Sequence, residues 1–268
     1  MASGTKSTKG PKGGKNSVKA ARASVVADKG KPWGTIIGVI AVILVAASVF
    51  TYAIIQVNAA KEFTVSEDNQ DPSVNIPGVT RVTYAPGVHV SPDQRVAYDF
   101  SPPFGGPHDA IWANCTGIVY PAAVRTENMV HILEHGAVWI AYNPDQVSGE
   151  ALSTLQAKVD NVPYMAMSPY PGLDKPISLQ SWGHQLKLDD VNDVRIDRFI
   201  KSLRANTYQH PEPGGSCDTS RNGFNVANPP PFVAEPPGPD AVPMDYNGTP
   251  GVAQGTEAPP TTPAPPTQ

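Results

Sequence analysis

The longest apolar stretch of the chain lies near its N-terminus and contains no Asp, Glu, Lys or Arg between Lys31 and Lys61. A helix needs about 20 apolar residues to cross a bilayer. Because the stretch is longer than that, the pattern predicts a transmembrane helix over residues 32–57. A cleaved signal peptide ending near Ala59-Ala60 is the alternative, although signal peptides usually have apolar regions of only about 7–15 residues.

Charge differs on the two sides of this stretch. Residues 1–31 hold eight Lys or Arg and one Asp, although the whole chain has a formal net charge of −4. Cations next to a span stay on the cytoplasmic side. We therefore expect a single-pass plasma-membrane protein, with a disordered basic cytoplasmic tail over residues 1–31 and an extracytoplasmic C-terminal part. The expected partner of residues 32–57 is the lipid bilayer, and no nucleic-acid partner is expected.

Beyond the span, the hydrophobic pattern breaks into short elements. Residues 58–76 are polar and predict a stalk, and residues 77–227 have the length of one folded extracytoplasmic domain. Residues 137–142 are apolar at odd and even positions alike, which indicates a strand buried on both faces. Within residues 177–188 the apolar positions change from odd to even near Gly183, which predicts a β-bulge. The predicted elements are a strand at 137–142, a helix at 148–160, a strand at 162–167, a strand at 177–188 and a helix from Asp189 or Asp190 to Leu203.

This β-α-β-β-α order predicts an α/β or α+β layered domain. It is also the order of the C-terminal half of thioredoxin-like domains, an analogy of fold that implies no redox activity. The CxxC motif of that family is absent. The last 40 residues contain 13 prolines, and proline has no backbone N–H, so residues 228–268 are predicted to be a disordered proline-rich tail.

The chain has two cysteines, Cys115 and Cys217. Outside the cytoplasm thiols tend to be oxidised, so we predict a disulfide between them. It would close a loop of about a hundred residues and stabilise the fold by about 4–5 kcal/mol in the chain-entropy description. Metal ligation and a free catalytic thiol are the alternatives.

The most suggestive chemistry lies at His131, Glu134 and His135. Thr126 as N-cap and Gly136 as a left-handed end predict a short helix around them. In a helix, the two histidines are stacked at metal-chelating distance, whereas in a strand they would stand about 13 Å apart. The string H-x-x-E-H also matches a zinc-peptidase pattern, which makes a metal-dependent enzyme one alternative.

A second candidate, His108, follows a tight loop rich in glycine and proline. We expect His108, His131 and His135 to form one metal site. Glu134 is expected in or near the first coordination sphere. Imidazole ligands suit copper or zinc. The alternative is that these histidines only fix loops through backbone hydrogen bonds.

Several other side chains carry weaker signals. A cysteine thiolate, Met165 or Met167 would add soft donors to a metal site, although methionines on one face of a strand usually fill the core. His184 has the spacing of a core histidine. His89 and His210 lie in proline-containing loops and give no signal.

Five motifs occur in sequence along the chain, and they are Pro102–His108, Trp112–Gly117, His131–Tyr142, Ser168–Gly172 and Ser181–Gly183. Together and in this order they resemble the bacterial family named domain of unknown function 3105, over about residues 75–210. The resemblance implies a single-span envelope protein of an actinobacterium, and it implies no mechanism because the family has no established activity. Many members have hydroxyl residues where this chain has Phe104-Gly105, which argues against a role for a loop hydroxyl here.

Three functions follow from these patterns. The first is a non-catalytic binding or envelope-interaction module that contacts a protein or a wall component. The second is an extracytoplasmic protein that binds copper or zinc through the histidine cluster, and the third is a metal-dependent enzyme. A glycine-rich phosphate loop, a nucleophile elbow and paired catalytic carboxylates are absent from the sequence, so an enzyme is the least favoured of the three.

Overall fold

The computed structural model describes Met1 and residues 31–247 of the chain and divides into two compact units, Met1–Val57 and Asn58–Gln268. The predicted basic tail falls almost wholly outside the described residues. Helix α1 runs from Trp33 to Glu62. Among the described residues, it is the one helix long and apolar enough to span a membrane, over Trp33–Asn58. Its side chains in that range are exposed, as those of a lipid-facing helix are.

The second unit is built on a mixed six-stranded sheet, which makes the fold α+β. The strand order is β1-β8-β7-β5-β6-β4, and a separate two-stranded parallel sheet pairs β2 with β3. Strands β4, β6 and β5 are parallel to one another, and β7, β8 and β1 add in antiparallel fashion. The strands are β1 (Thr80–Arg81), β2 (His89–Val90), β3 (His108–Asp109), β4 (Thr116–Val119), β5 (Val138–Tyr142), β6 (Met165–Pro169), β7 (Ile177–Ser181) and β8 (His184–Leu188).

Helices cover both faces of this sheet. Strand β5 is buried at all five positions, as its continuous apolar run predicts. Its Trp139 and Ala141 belong to the core that also holds α2 (Thr126–Glu134). Its other three residues face the core that holds α3 (Gly149–Val159) and α4 (Arg195–Leu203). The sheet is therefore the middle layer of three, and α2 lies alone on one side among the helices.

The predicted bulge in a long strand at 177–188 is wrong. Strands β7 and β8 form a hairpin in which Ser181 pairs with His184. Gly183 occupies the turn with a φ of +70°, a backbone conformation that glycine adopts readily. A two-residue turn and a bulge both shift the phase of the apolar positions, which explains the error.

The last helix also begins later than predicted. Asp193, and not Asp189 or Asp190, accepts a 2.8 Å hydrogen bond from the Arg195 backbone N–H at the start of α4. Asp190 instead accepts from Asn192 in the preceding turn.

Segments on both sides of the predicted domain pack against it. Phe63 and Ile76, from the predicted stalk, are buried in the core that also holds α3 and α4. On the C-terminal side, Val242 donates to the Arg95 carbonyl and accepts from the Ala97 N–H, both at 2.8 Å. The chain from 228 to 247 thus forms part of the domain, because proline removes donors but keeps carbonyl acceptors. Residues 248–268 lie outside the described residues.

The predicted disulfide joins Cys115 to Cys217 across 102 residues, with Cα atoms 4.6 Å apart. Cys115 precedes β4 and Cys217 lies in the chain that follows α4. The backbone N–H of Cys115 also donates to the Cys217 carbonyl at 3.1 Å. The bond therefore holds the segment after α4 against the sheet, next to the end of α2.

Candidate metal centre

The parallel pair β2–β3 forms the first wall of the site. It places His89 directly beside His108, with ring centroids 4.9 Å apart. The His108 backbone N–H donates to the Val88 carbonyl at 3.0 Å. Gly105 and Gly106 precede His108 with φ values of +157° and +97°. This loop turns the chain so that His108 enters the domain with no exposed surface.

Helix α2 forms the second wall. It begins at Thr126 with Arg125 as N-cap, so Thr126 is the first helical residue and not the cap that its sequence predicts. It ends before Gly136, whose φ is +92°, as predicted for a left-handed helix end. The helical geometry places His131 and His135 one turn apart, with their rings edge to face and the centroids 4.7 Å apart.

These two walls and a later loop bring six potential ligands together in two groups that share His131. Within each group, the potential ligand atoms all lie within 4.8 Å of one another. Donors of a tetrahedral zinc ion lie about 3.3 Å apart, given bonds of about 2.0 Å, so the spacing of the atoms in each group is close to that of a metal site. The inner group is His89, His108, His131 and Glu134, and the outer group is His131, His135 and Glu212.

Backbone carbonyls orient three of the histidine rings. The Nδ1 atom of His108 is 2.8 Å from the Gly106 carbonyl oxygen, that of His131 is 2.6 Å from the Asp109 oxygen, and that of His135 is 2.8 Å from the Ser216 oxygen. A carbonyl oxygen only accepts, so each Nδ1 carries the hydrogen. In the neutral rings every Nε2 therefore has a free lone pair. This second-sphere arrangement is typical of metal-binding histidines.

Several of these inward-facing atoms are buried without a hydrogen bond. The Nε2 atom of His108 lies 2.8 Å from Oε2 of Glu134, and both side chains are 0% exposed. Neither atom has a hydrogen-bond partner, because the contact lacks the required geometry; both ring nitrogens of His89 are also buried without a partner. A neutral imidazole lone pair and a carboxylate repel each other at this distance, and a proton or a metal ion bound by both atoms would remove that repulsion. Buried polar atoms without partners are rare in native proteins.

Burial also keeps the imidazoles in the form that binds metals. Desolvation, followed by the proximity of His108 and His135, holds the pKa of His131 well below its usual value. Desolvation and then His108 lower the pKa of His89. A metal ion competes with protons for these nitrogens, so the lowered pKa values favour metal binding at neutral pH.

The carboxylate of Glu134 is fixed from its other side. Its Oε1 accepts a 2.7 Å hydrogen bond from the Gly87 backbone N–H, while Oε2 faces His108. In a zinc peptidase the glutamate stands beside the metal-bound water as a general base. Here the carboxylate lies among the candidate ligand atoms, within 4.8 Å of those of His89, His108 and His131.

A buried ion-pair network supports this arrangement. Arg125 contacts the carboxylate of Asp109, and its Nε lies 3.4 Å from Oε2 of Glu127. It also donates to the Gln94 carbonyl at 2.6 Å. Because the Asp109 carbonyl accepts from His131, this network holds the carbonyl that orients the ring shared by both groups.

Two tryptophans border the cluster. The Trp112 ring lies 5.4 Å from the His131 ring and 5.0 Å from the His135 ring, centroid to centroid. The Trp182 ring is 5.9 Å from that of His108. An ion bound here would therefore lie close to two indole chromophores.

The structure brings together all four residues of the predicted site but divides them between the two groups. His108, His131 and Glu134 lie in the inner group, and His135 lies in the outer group. The soft donors considered from sequence are elsewhere, because Cys115 and Cys217 are bonded to each other and Met165 and Met167 lie in the core on the opposite face of the sheet. The Nδ1 atom of His184 is 2.7 Å from the Trp182 carbonyl oxygen, and its Nε2 is 3.4 Å from Oδ2 of Asp71, as expected of a core histidine.

Sequence reasoning missed His89 and Glu212. His89 reaches the site through the two-residue pairing of β2 with β3, and a pairing that short leaves no periodic pattern. Glu212 lies in a loop, and its backbone N–H donates to the Glu134 carbonyl at 3.1 Å. The Nδ1 atom of the neighbouring His210 donates to the same carbonyl at 3.1 Å. Both residues lie near prolines in segments outside the longer helices and strands, so their sequence gave no local signal.

Residues 89–219 match the family described as protein of unknown function (DUF3105), so this part of the chain is a DUF3105 domain. The match includes every residue of both donor groups. Neither the curated proteins nor the solved structures contain a match to the chain. The analogy with thioredoxin-like domains therefore stays a prediction.

Proposed function

We propose that this protein is a membrane-anchored, non-catalytic module that binds a divalent transition-metal ion in the inner group. The observation that carries the proposal is the approach of His108 Nε2 to Glu134 Oε2 at 2.8 Å, in a fully buried contact without hydrogen-bond geometry. A metal ion would give both atoms a partner. It would also give one to one of the two buried nitrogens of His89.

The number of donors favours binding over catalysis. Catalytic zinc sites keep one coordination position for water or substrate, whereas structural sites are filled by four protein ligands. His89, His108, His131 and Glu134 offer four donors. A four-coordinate ion in this group would have no position left for a substrate.

The donor types favour Zn²⁺ or Cu²⁺. Imidazole suits both ions, whereas Cu(I) is selected by thiolate and thioether ligands. The inner group offers three imidazoles and one carboxylate. Since both cysteines form a disulfide, we propose a divalent ion of borderline softness as the ligand.

The proposed location is the outer side of the plasma membrane. The basic residues before α1 support a cytoplasmic N-terminus, and the disulfide supports an oxidising compartment for the domain. The proposed partners are the lipid bilayer through residues 32–57 and an envelope protein or wall component that exchanges metal with the domain. We propose no nucleic-acid partner.

Protease treatment of intact cells tests this topology. A tag at the C-terminus is expected to be removed by external protease, and a tag at the N-terminus is expected to remain until the cells are lysed. Release of tagged domain into the medium without protease would instead indicate a cleaved signal peptide. Protection of the C-terminal tag in intact cells would contradict the topology.

Metal analysis tests the binding function. Full-length protein purified in detergent is stripped with a chelator, reloaded with Zn²⁺ or Cu²⁺ and desalted. Elemental mass spectrometry is expected to find one ion per chain. His108→Asn is expected to lower the metal content strongly, because asparagine can replace the Nδ1 hydrogen bond to Gly106 but not the Nε2 ligand.

His184→Asn is the matched control, since His184 makes the same kind of Nδ1 contact with Trp182 outside both groups. It is expected to retain the wild-type metal content. Wild-type protein that retains neither ion after reloading would contradict the proposed function, and so would an unchanged content in His108→Asn.

A further inference from the structure

We propose that the outer group of His131, His135 and Glu212 is a second, mutually exclusive position for the same ion, through which the ion reaches the inner group. This inference rests on the proposed function, since it needs metal to bind the inner group. It assigns the route of loading and the number of ions. Three features of the structure carry it.

The first feature is that the outer group is built like the inner one. The His135 side chain is fully buried, and its Nδ1 donates to the Ser216 carbonyl at 2.8 Å. Its Nε2 lies 3.1 Å from Oε2 of Glu212, and neither atom has a hydrogen-bond partner. A buried, oriented imidazole without a partner beside a carboxylate is thus present in both groups.

The second feature is the single free nitrogen of His131. Its Nδ1 donates to the Asp109 carbonyl at 2.6 Å, so only Nε2 has a lone pair for a metal. Both groups need that lone pair. One lone pair binds one ion, so the two positions cannot both be filled with His131 as ligand. The expected content is therefore one ion per chain in spite of six potential ligands.

The third feature is the difference in exposure between the two carboxylates. The Glu212 side chain is 33% exposed, whereas Glu134 and His108 are 0% exposed. An ion arriving from solvent would meet Glu212 first and bind His135 and His131 beside it, and it would then pass to His108 and Glu134 while His131 stays bound.

The position of the Glu212 loop keeps the distance between the two groups short. The Glu212 N–H donates to the Glu134 carbonyl at 3.1 Å, and the Ala205 N–H donates to the Gly136 carbonyl at 2.8 Å. The loop is therefore fastened to the end of α2, the helix that carries His131. The ring centroids of His108 and His135 lie 4.6 and 4.7 Å from that of His131, respectively. The ion can change position by exchanging ligands around one fixed ring.

Stopped-flow loading with Cu²⁺ tests the route. Full-length protein in detergent is stripped of metal and mixed with Cu²⁺, and tryptophan fluorescence is followed, because Trp112 lies beside both His131 and His135. In Glu212→Gln the loading rate is expected to fall about tenfold, the lower end of the range of about 10–10³-fold by which clefts lined by charges of one sign raise association rates. The final stoichiometry and the electron paramagnetic resonance spectrum of bound Cu²⁺ are expected to match the wild type.

Asp189→Asn is the matched control. It also removes one negative charge, from a carboxylate that is 73% exposed and paired with Lys175. Its loading rate is expected to equal that of the wild type. Thermal unfolding of the metal-free variants checks that both substitutions leave the fold intact.

A second variant traps the ion in the outer group. In the double variant His89→Ala, His108→Ala, one Cu²⁺ is expected to bind more weakly and with an altered resonance spectrum, because the outer group offers three protein ligands. Addition of Glu212→Gln to this variant is expected to weaken binding further. If the double variant is unstable, His108→Asn alone serves for the same comparison.

Several outcomes would overturn the inference while leaving the proposed function in place. They are two ions per wild-type chain, a wild-type loading rate in Glu212→Gln, and an equilibrium affinity in Glu212→Gln as low as in His108→Asn. The last result would mean that both groups form a single coordination sphere. Failure of the wild type to bind any metal would instead overturn the proposed function.

Discussion

Removal of the Cys115–Cys217 disulfide is expected to lower the free energy of unfolding by about 4–5 kcal/mol, the value for a loop of about a hundred residues in the chain-entropy description. The two cysteines are 102 residues apart. Reduction therefore opens a loop of the unfolded chain that contains most of the domain, from β4 to the segment after α4. Urea unfolding of the full-length, metal-free protein, followed by tryptophan fluorescence, measures this change. Oxidised wild type is compared with the Cys115→Ala, Cys217→Ala double variant.

A reductant provides the control for this comparison. It should destabilise the wild type to nearly the level of the double variant and leave the double variant unchanged. Cys115 is 0% exposed and Cys217 is 8% exposed, so alanine also loses some packing, and the reduced wild type separates that loss from the effect of the crosslink. A double variant as stable as the oxidised wild type would contradict the expectation.

The disulfide should also affect the two donor groups unequally. Cys217 follows Ser216, whose carbonyl orients His135. The candidate ligands of the inner group lie on β2, β3 and α2, and none of them is adjacent in the chain to Cys115 or Cys217. The sequence predicted the pairing of the cysteines from their number and compartment, but only the structure places the bond next to the outer group.

Local patterns predicted the elements that have strong local causes. The apolar run of β5 is buried on both faces, and Gly136 ends α2 with a positive φ. These features depend on residues within a few positions of one another. The turn at Gly183 shows the limit of such patterns, because a bulge and a tight hairpin shift the apolar phase in the same way.

The parts of the site that were missed depend on contacts between distant residues. His89 pairs with His108, 19 positions later, and Glu212 faces His135, which lies 77 positions earlier. Neither neighbour can be identified from hydrophobic periodicity, because both lie in short or irregular segments. The helix prediction was the decisive step for His131 and His135, since the same residues in a strand would have been too far apart to share an ion.

The segment after residue 228 shows a limit of predictions made from composition. A high proline content excludes regular ladders of hydrogen bonds, and this composition predicted disorder. Single contacts remain available to such a chain. The Arg125 N–H donates to the Pro230 carbonyl at 2.8 Å, so a segment rich in proline packs beside the N-terminus of the helix that carries the candidate ligands.

Substitution of His131 is expected to have the largest effect on metal binding, because His131 is the ligand that both groups share. In His131→Asn, the affinity for Zn²⁺ or Cu²⁺ should fall by about a hundredfold or more. Loss of an outer-shell partner alone typically costs about 10–100-fold in metal affinity, and His131 is placed to contact the ion. Asparagine keeps a donor that can reach the Asp109 carbonyl, so the orienting contact of the wild type is imitated.

Competition titration against a chromophoric chelator measures this affinity in the full-length protein. His184→Asn, which makes the same change at a core histidine outside both groups, should bind with wild-type affinity. His135→Asn should have a smaller equilibrium effect than His131→Asn, because the inner group keeps its four donors. If His131→Asn bound as tightly as the wild type, the shared position of His131 would be wrong, and the cluster would be a set of histidines that fix α2 and its neighbouring loops through their backbone hydrogen bonds.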